Sequence, residues 1–345
     1  MATTTSPNKI ANIKADNALP PSESLFQSAL KRLLRNRFAV MGIVIIILFL
    51  LIAVFANVIA PYPYDQTALR ASDSMPTWVS NLFGIAPKDA GGYAKINEDY
   101  SLGADNLGRD IFSRIVYGSR VSLAVAFVGP VVAIIVGLTL GLVSGFFGGV
   151  VDNIIMRITD IMYAFPTLLL IILFMAVFRP STGSLENGTF AYSMNRLDAS
   201  TGGMLFIFIG VGITSWMQLA RLTRGQVLST REMDYVQAAR SLGATDRTIM
   251  LRHVLPNILG PLIVAETLTI PRYISYEAFL SFIGLGVNPP TPSWGAMISE
   301  GAPAIRSYPH QAIFPAVTLF LIMFAFNFLG DGLRDALDPR MRGSS

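Results

Sequence analysis

The chain of 345 residues has no cysteine and only two histidines, His253 and His310. A disulfide framework, a thiol nucleophile and a thiolate metal site are therefore excluded. The histidines are far apart in sequence and, on the topology read below, fall at opposite membrane faces. Helix-end packing or capping suits them better than a shared metal. Charge is scarce: 14% of residues are charged and 52% hydrophobic, where soluble proteins carry roughly 25% charged residues. Phosphate-cradling GxxxxGK[ST], HExxH, GxSxG and Gly-rich dinucleotide motifs are all missing, so no enzyme chemistry of its own is indicated. The sequence pI of 9.4 comes from basic residues beside long apolar runs, as membrane orientation requires. No nucleic-acid motif accompanies them.

What the chain does have is uncharged length. Mean hydropathy is +0.53, and several runs exceed the roughly 20 residues that a membrane crossing needs. The expected fold is an all-α integral membrane protein with six transmembrane helices. The spans are read as Phe38–Tyr64, Val121–Val151, Ile161–Phe178, Ala199–Ala220, 253–286 and Ser307–Gly330. Residues 1–24 are rich in Ser, Thr, Pro and Asn and read as disordered. No apolar h-region occurs in the first 30 residues, so no cleavable signal is expected. Leu25, Phe26, Ala29, Leu30, Leu33 and Leu34 form a stripe with Lys31, Arg32, Arg35 and Arg37 beside it. That pattern predicts an interfacial amphipathic helix, with an N-terminal extension of the first span as the alternative. The organisation is then a tail at 1–37, a first span at 38–60, an extracytoplasmic segment at 61–118, a core at 119–330 holding a cytoplasmic loop at 221–256, and a tail at 331–345. With the N-terminus inside, 16 Lys and Arg fall on inner segments and nine on outer ones, six of those nine in or beside the long first outer segment. Charge in such a long loop weighs little, so both termini are expected in the cytoplasm. Gly137, Gly141 and Gly145 recur every four residues, which predicts a flat seam for close helix packing. An Asn187-Gly188-Thr189 sequon is also present, a triplet frequent by chance.

The polar run from Ser229 to Pro256 stands out between two spans. It reads as two short helices. Ser229 and Glu232 have capping-box spacing. Tyr235, Ala238, Ala239 and Leu242 fall on one helical stripe, small at its centre, where a partner surface could approach closely. Gly243 follows where a left-handed C-cap is wanted. Thr245 or Asp246 can cap a second helix to Arg252, and Leu255-Pro256 leads into the next span. That span carries Glu266, Arg272 and Glu277. An ionisable residue in a span is by default a functional candidate. Glu266 and Glu277 share one face, with Arg272 nearly opposite and Pro271 a source of kinking. They are candidates for lining a pathway or pairing with a partner. Snorkelling of Glu266 inward and an interfacial Glu277 are the alternative.

The loop resembles the coupling motif of binding-protein-dependent ABC importer permeases, written EAA, three residues, G, nine residues, I-x-L-P. Gln237-Ala238-Ala239, Gly243 and Leu255-Pro256 match it. Gln237 replaces the usual Glu and His253 the usual Ile. RHVLPN around His253, residues 30–56, LGADNLGRDIFSRIVYGSRVSL at 102–123 and EAFLSFIGLGVNPPTPSWGAMISEG at 277–301 are similar to the oligopeptide/dipeptide and nickel branch. The resemblance, to the C-type subunit of that branch, runs from about residue 22 to the end. It implies the type I ABC importer permease fold and import of oligopeptides or dipeptides, with nickel or oligosaccharides as alternative cargo. The partners it implies are a second related permease subunit, two cytoplasmic ATPase subunits that bind ATP and Mg, an extracytoplasmic substrate-binding protein and membrane lipid. No nucleic acid and no cofactor on this chain are expected. Tyr235, Gln237, Ala238, Ala239, Arg240, Leu242, Gly243, Leu255 and Pro256 would form the ATPase-coupling element. The membrane would be the prokaryotic plasma membrane. An ion-coupled secondary transporter is the other class; such proteins usually show internal repeats, and none is evident.

Overall fold

The computed structural model describes residues 25–179 and 189–337. The reading of residues 1–24, the sequon at Asn187 and the last part of the C-terminal tail lie outside the described residues.

Helix α1 (Leu25–Arg35) ends at Asn36, whose side-chain oxygen accepts from the backbone N–H groups of Phe38 and Ala39 at 3.1 and 3.3 Å. This N-cap starts α2 (Arg37–Val54) afresh, so α1 is a separate helix and not an extension of the span. α2 gains one further turn, Ala56–Ile59. The uncharged run to Tyr64 overshoots the helix because Pro61 and Pro63 cannot continue it.

Residues 61–110 form a small module. Ser74–Met75 (β1) pairs in parallel with Lys95–Ile96 (β2), and α3 (Thr77–Phe83) lies between them in sequence. Met75, Val79, Ile85 and Ala94 make its buried core, against Phe83, Tyr308 and Phe314. Two strands of two residues qualify the all-α expectation; they are too short to show a period-two pattern.

Asp110 caps α4 (Ile111–Phe147) by accepting from the Ser113 backbone N–H at 2.8 Å. The helix thus begins ahead of the expected Val121. Arg114 and Arg120 made this turn look extramembranous. Arg114 is paired with carboxylates, and Arg120 donates to the Ala53 carbonyl at 2.7 Å. A π turn, Ala133–Leu138, follows Pro130 within α4.

α5 (Gly149–Ala164) and α6 (Thr167–Phe178) meet at an 84° bend across Phe165-Pro166. The expected third span therefore splits at the proline, which lacks the N–H needed to continue the helix. α7 (Phe190–Ser200) is separated from α8 (Met204–Thr230) by Gly202 and Gly203, both at positive φ. So the fourth span starts later than Ala199 and runs past Ala220. α9 (Asp234–Ser241) follows, then α10 (Asp246–Phe282), α11 (Trp294–Gly301) and α12 (His310–Leu337). Among the described residues α2, α4, α8, α10 and α12 are long and apolar enough to cross a membrane; the bent pair α5–α6 makes the sixth crossing when counted as one.

The packing sets which ends lie together. Leu33 and Ala39 pack on Ala336, and a Cβ on Gly260 would stand 4.0 Å from Leu337. The start of α2, the end of α12 and the α9 region therefore share one end of the bundle. At the other end, the Tyr93 hydroxyl donates to the Ser307 carbonyl at 3.0 Å and Gln311 donates to Asp73 at 2.8 Å. α11 is wedged between spans: Trp294 is fully buried, donates to the Ile115 carbonyl at 3.0 Å and meets Phe49 edge-on.

α4 and α8 run side by side in the same direction along the glycine seam. A Cβ on Gly137, Gly141 or Gly145 would lie 2.5, 2.4 or 2.9 Å from the backbone oxygen of Trp216, Ala220 or Arg224. Only glycine allows this approach. Gly141→Ala therefore forces two backbones apart, an overpacking cost of about 1–3 kcal/mol. Gly225→Ala, where nothing lies within 4 Å, is its control. Thermal unfolding in detergent should show an earlier transition for the first variant only. Equal stability of the two would show that the seam does not set the helix spacing.

Candidate functional site

At the shared end of the bundle, α9 rests on a compact base. Val236 is fully buried against Ile249, Val254 and Ile258 of α10, within a cluster that also holds Phe146 and Val227. The opposite side of α9 is free. Tyr235 is 40% exposed and Leu242 88%; Ala238 is exposed and Ala239 half-buried. The stripe read from the sequence thus faces outward, while a residue outside it, Val236, anchors the helix. The Tyr235 hydroxyl donates to the His253 carbonyl at 3.5 Å. Gln237, where the motif has Glu, donates to the Arg231 carbonyl at 3.3 Å. Arg240 is exposed.

The termini of α9 differ in how they match the sequence. Gly243 has φ +83°, its N–H donates to the Arg240 carbonyl at 3.0 Å, and the Ala244 N–H donates to the Ala239 carbonyl at 3.1 Å. These paired bonds are a Schellman C-cap. The capping box at Ser229 and Glu232 does not form. α8 continues through Ser229 to Thr230, held by buried Val227, and Glu232 pairs with Arg231 at 3.0 Å. The second short helix is not separate either. Thr245 caps it through the Thr248 N–H, but it runs straight into the fifth span as α10. A π turn, Ile249–Val254, sits just before half-buried Leu255 and exposed Pro256.

A polar wall rises from this end along four helices. Asp160 and Tyr163 stand on α5, and Thr167 begins α6; Thr214, Gln218 and Arg221 share one face of α8; Thr269, Arg272 and Tyr276 share one face of α10. These residues line two adjoining cavities. Arg221 pairs with Asp160 and lies 4.3 Å from the Tyr163 ring centroid. Beside it Arg224 holds Asp152 through two hydrogen bonds. Arg272 is exposed and donates to the Gln218 side-chain oxygen at 3.0 Å.

The three charges flagged in the fifth span separate here. Arg272 belongs to the wall. Glu266 and Glu277 do not. Glu266 is buried and accepts from the Tyr273 hydroxyl at 2.7 Å. Glu277 has 0% exposure and accepts from Ser281 at 2.8 Å and Ser122 at 3.2 Å. Helix packing has enclosed both.

Sequence reasoning passed over a cluster at the far end. Asp105 and Glu300 hold Arg109 and Arg114: Arg109 reaches Asp105 at 2.6 Å and Glu300 at 2.7 Å, and Arg114 reaches the same two carboxylates at 2.6 and 2.7 Å. Arg114 is only 2% exposed. Asp105 also accepts from the backbone of Leu107 and Arg109. The cluster ties the turn before α4 to α11. Its signal was GADNLGRD within the outer motif. Nearby, burial pushes the Asp110 carboxyl up from its ordinary range, opposed by hydrogen bonds from Ser113. His310 is buried under Gly103, whose Cβ would lie 2.8 Å from the ring, in keeping with a helix-end packing role. Arg179 closes the same end, bonding the Gly286 carbonyl at 2.6 Å and pairing with Asp198 at 3.3 Å.

The chain resembles known proteins over almost all of its length. Residues 137–343 match the family described as the binding-protein-dependent transport system inner membrane component, and residues 24–76 match the N-terminal TM domain of oligopeptide transport permease C. The oligopeptide transport system permease protein OppC of Bacillus subtilis is 39% identical over 95% of this chain and 94% of its own. The dipeptide transport system permease protein DppC of the same organism is 35% identical over 97% and 92%. A glutathione transport system permease protein, GsiD of Pectobacterium atrosepticum, is 38% identical over 90% of each chain. With these matches spanning the α9 motif, the polar wall and the Arg109–Arg114 cluster alike, the chain belongs to the inner membrane components of binding-protein-dependent ABC importers, in the family of oligopeptide and dipeptide permease C subunits.

Proposed function

We propose that this permease subunit carries oligopeptides or dipeptides across the prokaryotic plasma membrane as one half of a pathway, a second related permease supplying the other. The polar wall is this chain's contribution. Residues such as Asp160, Gln218 and Arg272 are costly against lipid tails, and they stand together on one exposed side. A facing subunit and a hydrated path between the two relieve that cost.

The observation that carries the coupling reading is the free stripe of α9. Tyr235, Ala238, Ala239 and Leu242 dock into a groove of a cytoplasmic ATPase subunit, with Arg240, Arg247 and Arg252 meeting its surface. Gly243, Leu255 and Pro256 fix the exit of the chain. Two ATPase subunits bind ATP and Mg, and their closure turns the permease outward, where a substrate-binding protein delivers peptide. Because Val236 locks α9 to α8 and α10, a push on α9 reaches the wall through those two helices. Both termini then lie in the cytoplasm, on the side of α9, and the 61–110 module faces out.

Topology offers a direct check, since the natural chain has no cysteine. A thiol at exposed Asp89 should react with an impermeant maleimide in intact cells. One at exposed Arg240 should react only after the membrane is opened; the reverse pattern excludes this orientation. A Leu242→Cys variant should also cross-link to the ATPase subunit in the assembled complex. Failure to do so while the complex remains assembled would remove α9 from the contact.

A further inference from the structure

We infer that Arg272, presented by Gln218, binds the C-terminal carboxylate of the peptide in transit, so that the permease itself selects for a free peptide acid. This rests on the proposed transport of peptides and adds a recognition site within the pathway.

Four observations converge. Arg272 lies within an apolar span, yet its side chain is exposed to a cavity and not packed. Among the described residues it has no carboxylate within ion-pair distance, whereas Arg109, Arg114, Arg179, Arg221 and Arg224 each have one. The two acidic groups flanking it on its own helix are turned inward, Glu266 to the Tyr273 hydroxyl and Glu277 to Ser281 and Ser122. Finally, Gln218 takes one guanidinium nitrogen through its carbonyl oxygen at 3.0 Å. That bond fixes the planar fork and leaves its other N–H groups for the cavity, where Tyr276 adds a hydroxyl; Thr214 and Thr269 line the same cavity but donate to the Gly210, Val211 and Ala265 carbonyls of their own helices.

A cation within a span with no carboxylate at ion-pair distance is retained at a cost, and the chemistry that best relieves it is an anion with two oxygens in one plane. A guanidinium binds a carboxylate in this bidentate way, and an ammonium does not. A peptide has one such group that is independent of its sequence, the terminal carboxylate. Binding there orients any peptide by its backbone end, which suits a carrier of varied side chains. The bond must also break for release. The wall supplies the next cation toward α9 at Arg221, which is already paired with Asp160.

The test uses the complete complex in proteoliposomes, with binding protein at matched occupancy by trialanine or trialanine amide. The intact complex should import the acid at least about tenfold faster than the amide, in line with the loss of a charged hydrogen bond. Arg272→Gln should lower uptake of the acid by a similar factor, leave the amide unchanged and so erase the preference. Arg272→Lys should restore part of it. If the intact complex imports both peptides equally, or if Arg272→Gln slows both alike, the inference fails while peptide transport stands. If Arg272→Gln releases the second permease subunit on purification, the cation pairs with that subunit and the inference also fails. If the intact complex imports neither peptide and neither stimulates ATP hydrolysis, the peptide reading itself is overturned.

Discussion

Ala238→Trp should leave a fully folded permease that no longer responds to its ATPase. The side chain of Ala238 is exposed on α9, on the face away from Val236, so an indole there meets no atom of this chain's packed base. It meets only what docks on the stripe. Overpacking a tight contact costs about 1–3 kcal/mol, and at a small-centred interface the loss falls almost wholly on docking. Transport and the rise in ATP hydrolysis caused by loaded binding protein should both drop to background. The thermal transition of the isolated subunit should stay where it was. Gly243→Val separates shape from surface. Nothing lies within 4 Å of a Cβ at Gly243, so the substitution clashes with nothing. Its burden is the φ of +83°, which a β-branched residue resists. The exit of α9 should be redirected, with weakened coupling and a modest loss of stability. Wild-type stimulation by Ala238→Trp in reconstituted complexes would place the ATPase contact elsewhere.

Arg114→Ala should be the most destabilising single change at the other end of the molecule. Arg114 is almost completely buried and bridges Asp105 and Glu300, residues on opposite sides of the α4–α11 contact. Its removal leaves two carboxylates sharing Arg109 alone. Breaking a buried pair costs about 3–5 kcal/mol because the remaining charge is uncompensated. Arg114→Lys should rescue little, since one ammonium cannot reproduce the three bonds that the guanidinium makes to these two carboxylates. The double change Arg114→Met with Glu300→Gln should recover part of the loss by removing charge of both signs. Yield of monodisperse protein and its unfolding temperature are the readouts. A stable Arg114→Ala protein would mean that the cluster is open to water in the membrane-embedded state.

Much of the architecture was legible because it depends on properties each residue carries alone. Apolar length marks a span wherever the segment packs, and the glycine seam of α4 is visible as a repeat before its partner is known. Gly243 is readable for the same reason: a left-handed φ is a local preference. Local signals also misled. Ser229 and Glu232 have the spacing of a cap, but burial of Val227 carries α8 through them. Arg114 looked extramembranous because a charge seen alone gives no hint of its counterion.

The tertiary structure decided the fate of every charge. Arg114 finds Glu300 across 186 positions of sequence. Arg272 meets Gln218 on a different span, and Asp160 and Tyr163 join them from a helix set by the bend at Pro166. Glu277, on the same helix as Arg272, is instead enclosed by serines of α4 and its own turn. The cost of an ionised group in a membrane depends on what the neighbouring helices bring within a few ångströms, and that is a property of their packing, not of the span. The sequence could name the helices and the α9 stripe. Only their assembly separated the residues that form the wall from those that hold it up.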